Sequence, residues 1–272
     1  MKNYLKNVRE TNPLIQNITN YVTVNDVANV LLATGASPIM ADEVEEMESM
    51  TTICSGLNIN IGTLNKRTVE SMFIAGKNSN KLGHITVLDP VGAGAGKYRT
   101  NTAKKLIKDV KFDAIKGNIS EIKALFMGTD TTSGVDANVS DIVTEDNLDF
   151  AIAFVKEVAN KMHTVIAITG GIDLISDGKR TILIRNGRPE MKSITGIGCM
   201  LSGLIVAFIA ANPDRKLEST AWAVMMMGVA GELAFKRLVE GDGNIAYRGK
   251  IIDAIYNMTD EIIEKEGNYE IR

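Results

Sequence analysis

The 272-residue chain predicts a three-layer α/β fold, a mostly parallel central sheet flanked by helices. Three observations carry that reading. Short β-branched runs alternate with longer stretches of helical periodicity along the whole chain. Runs such as HITVLDP lie between two helices, the position of a parallel strand, whose crossover needs a helix. No internal repeat and no sharp shift in composition divides the chain, so residues 1–272 read as one domain.

The elements follow in order. Residues Thr11 to Asn20, TNPLIQNITN, are polar and carry Pro13, so they are expected as a loop leading into a helix from about Val22 to Thr34. Gly35 ends that helix, where a left-handed residue is usual. ASPIM reads as a short extended piece and EVEEMESM as an acidic helix with a solvated face. GLNINIG alternates as a strand does, and a helix from Lys66 to Lys81 ends at Gly83. After HITVLDP come a helix from about Thr100 to Val110, the short strand AIKG and a helix from Ile119 to Met127. The polar stretch from Gly128 to Asp146 is the longest expected loop. Asn147 to Met162 is helical in pattern, and TVIAITGG is the most strand-like run of all. DLISDGKRTILIRNG predicts two antiparallel strands joined at Asp177-Gly178. Helices starting near Cys199, Leu217 and Ile245 close the chain, with Met225 to Met227 as core filling.

Composition narrows the function. A net charge of −3 and 5% aromatic residues leave neither the basic surface nor the stacking residues of a nucleic-acid binder. The N-terminus MKNYLKNVRE lacks the apolar segment of a signal peptide, and no apolar run reaches the ~18 residues a membrane helix needs. A cytoplasmic protein that binds no membrane is therefore expected. Cys54 and Cys199 are too few for a disulfide framework or a zinc cluster, and His84 and His163 build no imidazole site.

The chemistry concentrates in SITGIGCMLSG, residues 193–203, which opens the most apolar helical segment. Gly196 and Gly198 permit a tight turn, and the helix behind them points its N-terminus at that turn. Unpaired amides and the positive end of the helix dipole make an anion site there, most naturally for phosphate. The plainer alternative is a glycine turn before a core helix, with Cys199 a small buried hydrophobe. Three strand ends, Asp89 in LDP, Lys116 to Asn118 in IKGN and Thr169 in AITGG, converge on one rim if the strands are parallel. GAGAGK, residues 92–97, fails as a Walker loop and as a dinucleotide fingerprint, leaving a flexible loop. Asp89 suits a hydrated magnesium ion, or simply terminates an Asp-Pro strand end. Asn118 and Glu121 have the spacing of a helix cap with its reciprocal acid.

Together these residues resemble the hydroxyethylthiazole kinase family of the ribokinase-like superfamily. The resemblance spans nearly the whole chain and rests on QNITNYVTVNDVANVLLATGASPIM, VLDPVGAGA, IKGNISEI, AITGGID and ITGIGCMLSG. It implies transfer of the γ-phosphate of ATP to the primary hydroxyl of 4-methyl-5-(2-hydroxyethyl)thiazole, with magnesium. By this resemblance Asn20, Met40 and Gly196 bind the thiazole, Lys116 and Thr169 bind ATP, and Asp89 and Glu121 lie near the metal. Gly196, Ile197, Gly198 and Cys199 form the anion hole. Cys199, in a slot where many relatives place a catalytic aspartate, accepts or orients the alcohol proton. A homotrimer with active sites between subunits is also implied. Four positions depart from the usual pattern: Ile197 for threonine, Gly171 for glutamate, Gly96 for threonine, and Lys116 for arginine, which keeps the charge but loses the planar fork. The rival readings are another ribokinase-like small-alcohol kinase, an ATP-dependent hydrate-lyase, a nucleotide sensor without turnover, and a cysteine-nucleophile hydrolase.

Overall fold

Among the described residues all strands, numbered β1 to β9 in chain order, join one nine-stranded sheet of order β2-β1-β3-β4-β5-β6-β7-β8-β9. The structure, a computed structural model, describes residues 3–126 and 142–272. Strands β1 (Leu14–Ile18), β2 (Ser37–Ile39), β3 (Gly56–Asn60), β4 (Ile85–Asp89), β5 (Ala114–Asn118) and β6 (Val165–Thr169) are mutually parallel. Strands β7 (Asp173–Ser176), β8 (Thr181–Ile184) and β9 (Tyr269–Ile271) extend the sheet antiparallel from β6.

Alternation along the strands feeds two cores. Ile15, Val87, Ala114 and Ala167 face one side, where α1 (Tyr4–Thr11), α2 (Val24–Thr34), α8 (Ile197–Ala211), α9 (Lys216–Phe235) and α10 (Asn244–Tyr256) pack. Leu57, Ile59, Leu88, Ile115 and Ile166 face the other, beneath α4 (Lys66–Leu82), α5 (Lys97–Asp109), α6 (Ile119–Phe126) and α7 (Leu148–Met162). Each such large side chain removed from water stabilises the fold by about 1.5–3 kcal/mol. Local signals set the helix ends: Asn65 and Thr68 form a reciprocal cap on α4, and Gly35 and Gly83 stop α2 and α4 at φ +98° and +72°.

The stretch Thr11 to Asn20 is not a loop. It closes α1 and then forms β1, with all but Leu14 buried along the strand. Its polar residues are satisfied by distant partners: Thr51 Oγ1 donates to Gln16 Oε1 at 2.9 Å, and Asn58 Nδ2 donates to Asn17 Oδ1 at 3.1 Å. The acidic segment after β2 starts as a 3-10 turn and continues as α3 (Met47–Ile53). Two elements near the C-terminus have no counterpart in the sequence reading, α11 (Asp260–Glu266) and the edge strand β9. Of the helix expected to Met127 and the loop from Gly128 to Asp146, residues 127–141 lie outside the described residues. Gly92 to Gly96 is a series of turns anchored by Gly92 N–H to Glu121 and Gly94 N–H to Thr100. Among the described residues no single helix is long and apolar enough to cross a membrane.

Candidate active site

Six parallel strands place their carboxyl ends along one rim, where ligands bind in such sheets. Asn20 follows β1, Asn60 and Asp89 end β3 and β4, Lys116 lies within β5, and Thr169 ends β6. A cavity of about 430 Å³ opens there, lined by Asn20, Asp89, Lys116, Glu121, Thr169 and Cys199 among others. A second cavity of about 630 Å³ adjoins it, with apolar walls from Ile142, Val143, Val224 and Met227. The two share Asn118, Thr169, Gly196 and Gly198, so the glycine turn is their common wall.

That turn is the N-terminus of α8. Gly196 is its cap residue at φ +91°, and no side chain caps the helix. The first internal bond runs from Met200 N–H to Gly196 O at 2.8 Å, which leaves the amides of Ile197, Gly198 and Cys199 without a helical acceptor. These are three of the four residues expected as the anion hole, the fourth, Gly196, being the cap, and the helix begins at Ile197, before Cys199. Gly196 is required by its φ and its neighbour, whereas Gly198 faces only the tip of a flexible lysine. A Cβ at 196 would stand 2.6 Å from Thr23 Cγ2, and one at 198 would stand 2.8 Å from Lys116 Nζ. The ammonium of Lys116 therefore lies against the helix N-terminus.

Lys116 is held there by Asp89, with Nζ 3.2 Å from Oδ1 and 3.3 Å from Oδ2. Burial opposes the charge on Lys116, yet the carboxylate of Asp89, assisted by Cys199 and Glu121, more than offsets it and holds the lysine above its ordinary value. Burial pushes Asp89 up, and Lys116 draws it back. We assign the pair as ionised, because each charge is the direct counter-ion of the other and Asn60 Nδ2 also donates to Asp89 Oδ2 at 2.9 Å.

Asn20 is 4% exposed and Cys199 9% exposed, and they meet directly. Asn20 Nδ2 donates to Cys199 Sγ at 3.1 Å and to Asn60 Oδ1 at 3.0 Å, while Thr23 Oγ1 donates to Asn20 Oδ1 at 3.1 Å. The other cysteine, Cys54, is walled into the core, where burial pushes its thiol up to about 11. Glu121 makes the predicted reciprocal cap with Asn118, its Oε2 accepting Asn118 N–H and its own N–H reaching Asn118 Oδ1, both at 2.8 Å. Its Oε1 accepts Gly92 N–H at 2.7 Å, which ties the glycine-rich turn to the rim.

The metal assignment can be weighed on these contacts. Among the described residues no three His, Cys, Asp or Glu side chains gather as a metal cage. Asp89 and Glu121 are the acids on the smaller cavity, and both already accept protein donors. Such a pair fits a magnesium ion that keeps part of its water shell and takes its other ligands from phosphate oxygens.

Met40 is the one predicted residue not brought to either cavity. It follows β2 and packs, half-buried, on the core beneath α8. Among the site residues that escaped the sequence reading are Thr23, Asn60 and Asp173. Asn60 had a usable signal, since it ends a parallel strand as Asp89 does. Asp173 lines the larger cavity, accepts Gly170 N–H at 2.8 Å, and is pushed up to about 7 by burial.

Comparison with known proteins gives the family and the fold. The chain is 56% identical over 270 residues to a hydroxyethylthiazole kinase of Clostridium acetobutylicum, covering 99% of both chains. The solved hydroxyethylthiazole kinase of Pyrococcus horikoshii superposes with a TM-score of 0.87 at 36% identity, over 99% of this chain and 97% of that one. A ribokinase-like superfamily protein of Enterococcus faecalis shares the fold at a TM-score of 0.66 and 13% identity, over 96% and 89% of the two chains. The fold is thus ribokinase-like, and with the hydroxyethylthiazole kinase family model matching residues 5–261, the chain belongs to the hydroxyethylthiazole kinase family.

Proposed function

We propose that this protein transfers the γ-phosphate of ATP to the primary hydroxyl of 4-methyl-5-(2-hydroxyethyl)thiazole, a thiamine-salvage reaction. The observation that carries the proposal is the shared wall. One cavity presents the sulfur of Cys199 held by a carboxamide, the next, of about 630 Å³ with apolar and polar walls, has room for a nucleoside, and the unpaired amides of α8 stand between them. The alcohol lies in the smaller cavity against Asn20, Gly196 and Cys199. ATP lies in the larger cavity and reaches over Thr169 to Lys116.

In the transfer the alcohol oxygen bonds to the γ-phosphorus, the bond to the β,γ-bridging oxygen breaks, and ADP leaves. The alcohol proton passes to Cys199 Sγ, which takes it as the thiolate and ends as the thiol. Phosphoryl transfer needs alignment and charge stabilisation more than covalent help. The amides of Ile197 to Cys199 and the ammonium of Lys116 supply both where negative charge gathers. Magnesium, held beside Asp89 and Glu121, would neutralise phosphate charge and bring the β- and γ-phosphates into line.

Two wider features belong to the same reading. Tyr21 and Val22 beside the smaller cavity are 78% and 56% exposed, which supports a homotrimer in which a neighbouring subunit covers this edge and completes the pocket. A chain of one continuous sheet supports a single kinase domain over residues 1–272, working in the cytoplasm where ATP and magnesium are held. Light scattering on the purified protein tests the trimer. A coupled ADP-release assay with magnesium ATP tests the reaction, offering the thiazole alcohol, a hydroxymethylpyrimidine, pyridoxal and a sugar. ADP release with the thiazole alcohol is expected. Turnover of another alcohol without it would overturn the assignment.

A further inference from the structure

Asn60 takes no part in the mechanism above, yet it joins both halves of the site. It is fully buried at the end of β3 and lines neither cavity. Its carboxamide has no free orientation. Gly62 N–H donates to Oδ1 at 2.9 Å, and Nδ2 donates to Asp89 Oδ2 at 2.9 Å. Flipping the amide would set its oxygen against a carboxylate and its N–H against a backbone N–H, losing both bonds at once.

The consequence passes outward. With Oδ1 of Asn60 fixed as an acceptor, Asn20 meets it only through Nδ2. The hydroxyl of Thr23, able to donate or accept, takes the donor role toward the oxygen of Asn20 and steadies the same orientation from the other side. The remaining N–H of Asn20 is then aimed at Cys199 Sγ, which must receive a hydrogen bond rather than give one to this neighbour. The geometry points to Asn60 as a positioning residue for the phosphoryl transfer, one that locks Asn20 so that the Cys199 sulfur is presented as a proton acceptor, in register with the Asp89–Lys116 pair. This inference rests on the proposed reaction for its purpose, although the lock itself is read from the bonds alone.

The test follows the sulfur directly. Alkylation of Cys199 by iodoacetamide, mapped by mass spectrometry at one neutral pH, is compared in the full-length parent, Asn60→Ser, Asn60→Asp and Thr23→Val. Alkylation needs neither ATP nor the alcohol, so it decides the lock whether or not the alcohol is phosphorylated. Asn60→Ser is expected to slow alkylation and kcat by about tenfold, the worth of one buried hydrogen bond, with KM for the alcohol changing less than about threefold. Thr23→Val, which keeps a methyl beside Gly196, is expected to shift both in the same direction by less. In Asn60→Asp the introduced carboxyl faces Asp89, with Lys116 and Glu121 as the other charged neighbours. A carboxylate there cannot donate to Asp89, so Asn60→Asp is expected to lose at least as much alkylation and kcat as Asn60→Ser. Variants that melt like the parent but keep alkylation and kcat within about twofold would overturn the lock. If the Asn60 variants do not fold, unchanged alkylation and kcat in Thr23→Val overturn it.

Discussion

Asn20 donates its side-chain N–H to the sulfur of Cys199 at 3.1 Å, across 179 residues of sequence. The loop after the first strand and the first turn of α8 are thereby joined at the atom proposed to take the alcohol proton. Asn20 thus serves the thiol as well as the pocket, and the chemistry at position 199 depends on a residue near the start of the chain.

Replacement at this position separates acceptance from mere placement. Cys199→Asp keeps an acceptor beside the Asn20 N–H and is expected to retain substantial kinase activity. Cys199→Ala is expected to lose on the order of 10²-fold in kcat, the scale of general-base assistance. Steady-state kinetics at saturating ATP check this, and an alanine variant as active as the parent would remove the proton-acceptor role.

Lys116→Met leaves Asp89 buried without its counter-ion. Removing one partner of a buried pair destabilises by about 3–5 kcal/mol, so urea denaturation is expected to show a marked loss. The activity lost in the same variant is expected to appear in kcat/KM for ATP, because the ammonium also faces the phosphate site. A variant as stable as the parent would mean that the pair is not ionised.

The two glycines of the turn should fail differently. Gly196→Ala forces a side chain into φ +91° and against Thr23, at a cost of about 1–3 kcal/mol in folding stability. Gly198→Ala meets only the tip of Lys116, so its melting temperature is expected to change little while KM for ATP rises. Paired melting curves and kinetics distinguish them.

Asp173 links pH to stability. Burial raises it from 3.8 to about 7, so between those values the folded chain holds a proton that the unfolded chain has released. Its contribution to stability is complete below pH 3.8 and is lost as pH rises through about 7. Asp173→Asn is expected to flatten that decline and to gain on the order of 1 kcal/mol at pH 8, a figure reduced for solvent screening at the cavity wall. Chemical denaturation of both proteins from pH 5 to 8 measures it, and parallel curves would count against a buried charge here.

Local chemistry made much of the fold readable. The αL glycines ending α2 and α4, the hairpin at Asp177-Gly178 and the β-branched runs of β4 and β6 act over a few residues, and each appears where its pattern points. The Asn118–Glu121 cap was readable for the same reason. Strand β1 was hidden because Gln16 and Asn17 look solvated until Thr51 and Asn58 are seen to satisfy them. Strand β9 was hidden because its register comes only from β8, about 85 residues earlier in the chain.

The sequence by itself determined the alternation of strands and helices, the glycine turn before an apolar helix, and the polar residues at the strand ends. Periodicity, φ preference and capping are properties of neighbouring residues, so one chain read alone contains them. Only the tertiary structure decided that the amides of α8 stand between two cavities, that Lys116 reaches them past Gly198, and that Asn60 joins Asn20 to Asp89. Those relations depend on which strand lies beside which and on the direction of a buried carboxamide, and both are settled by hydrogen bonds between residues far apart in the chain.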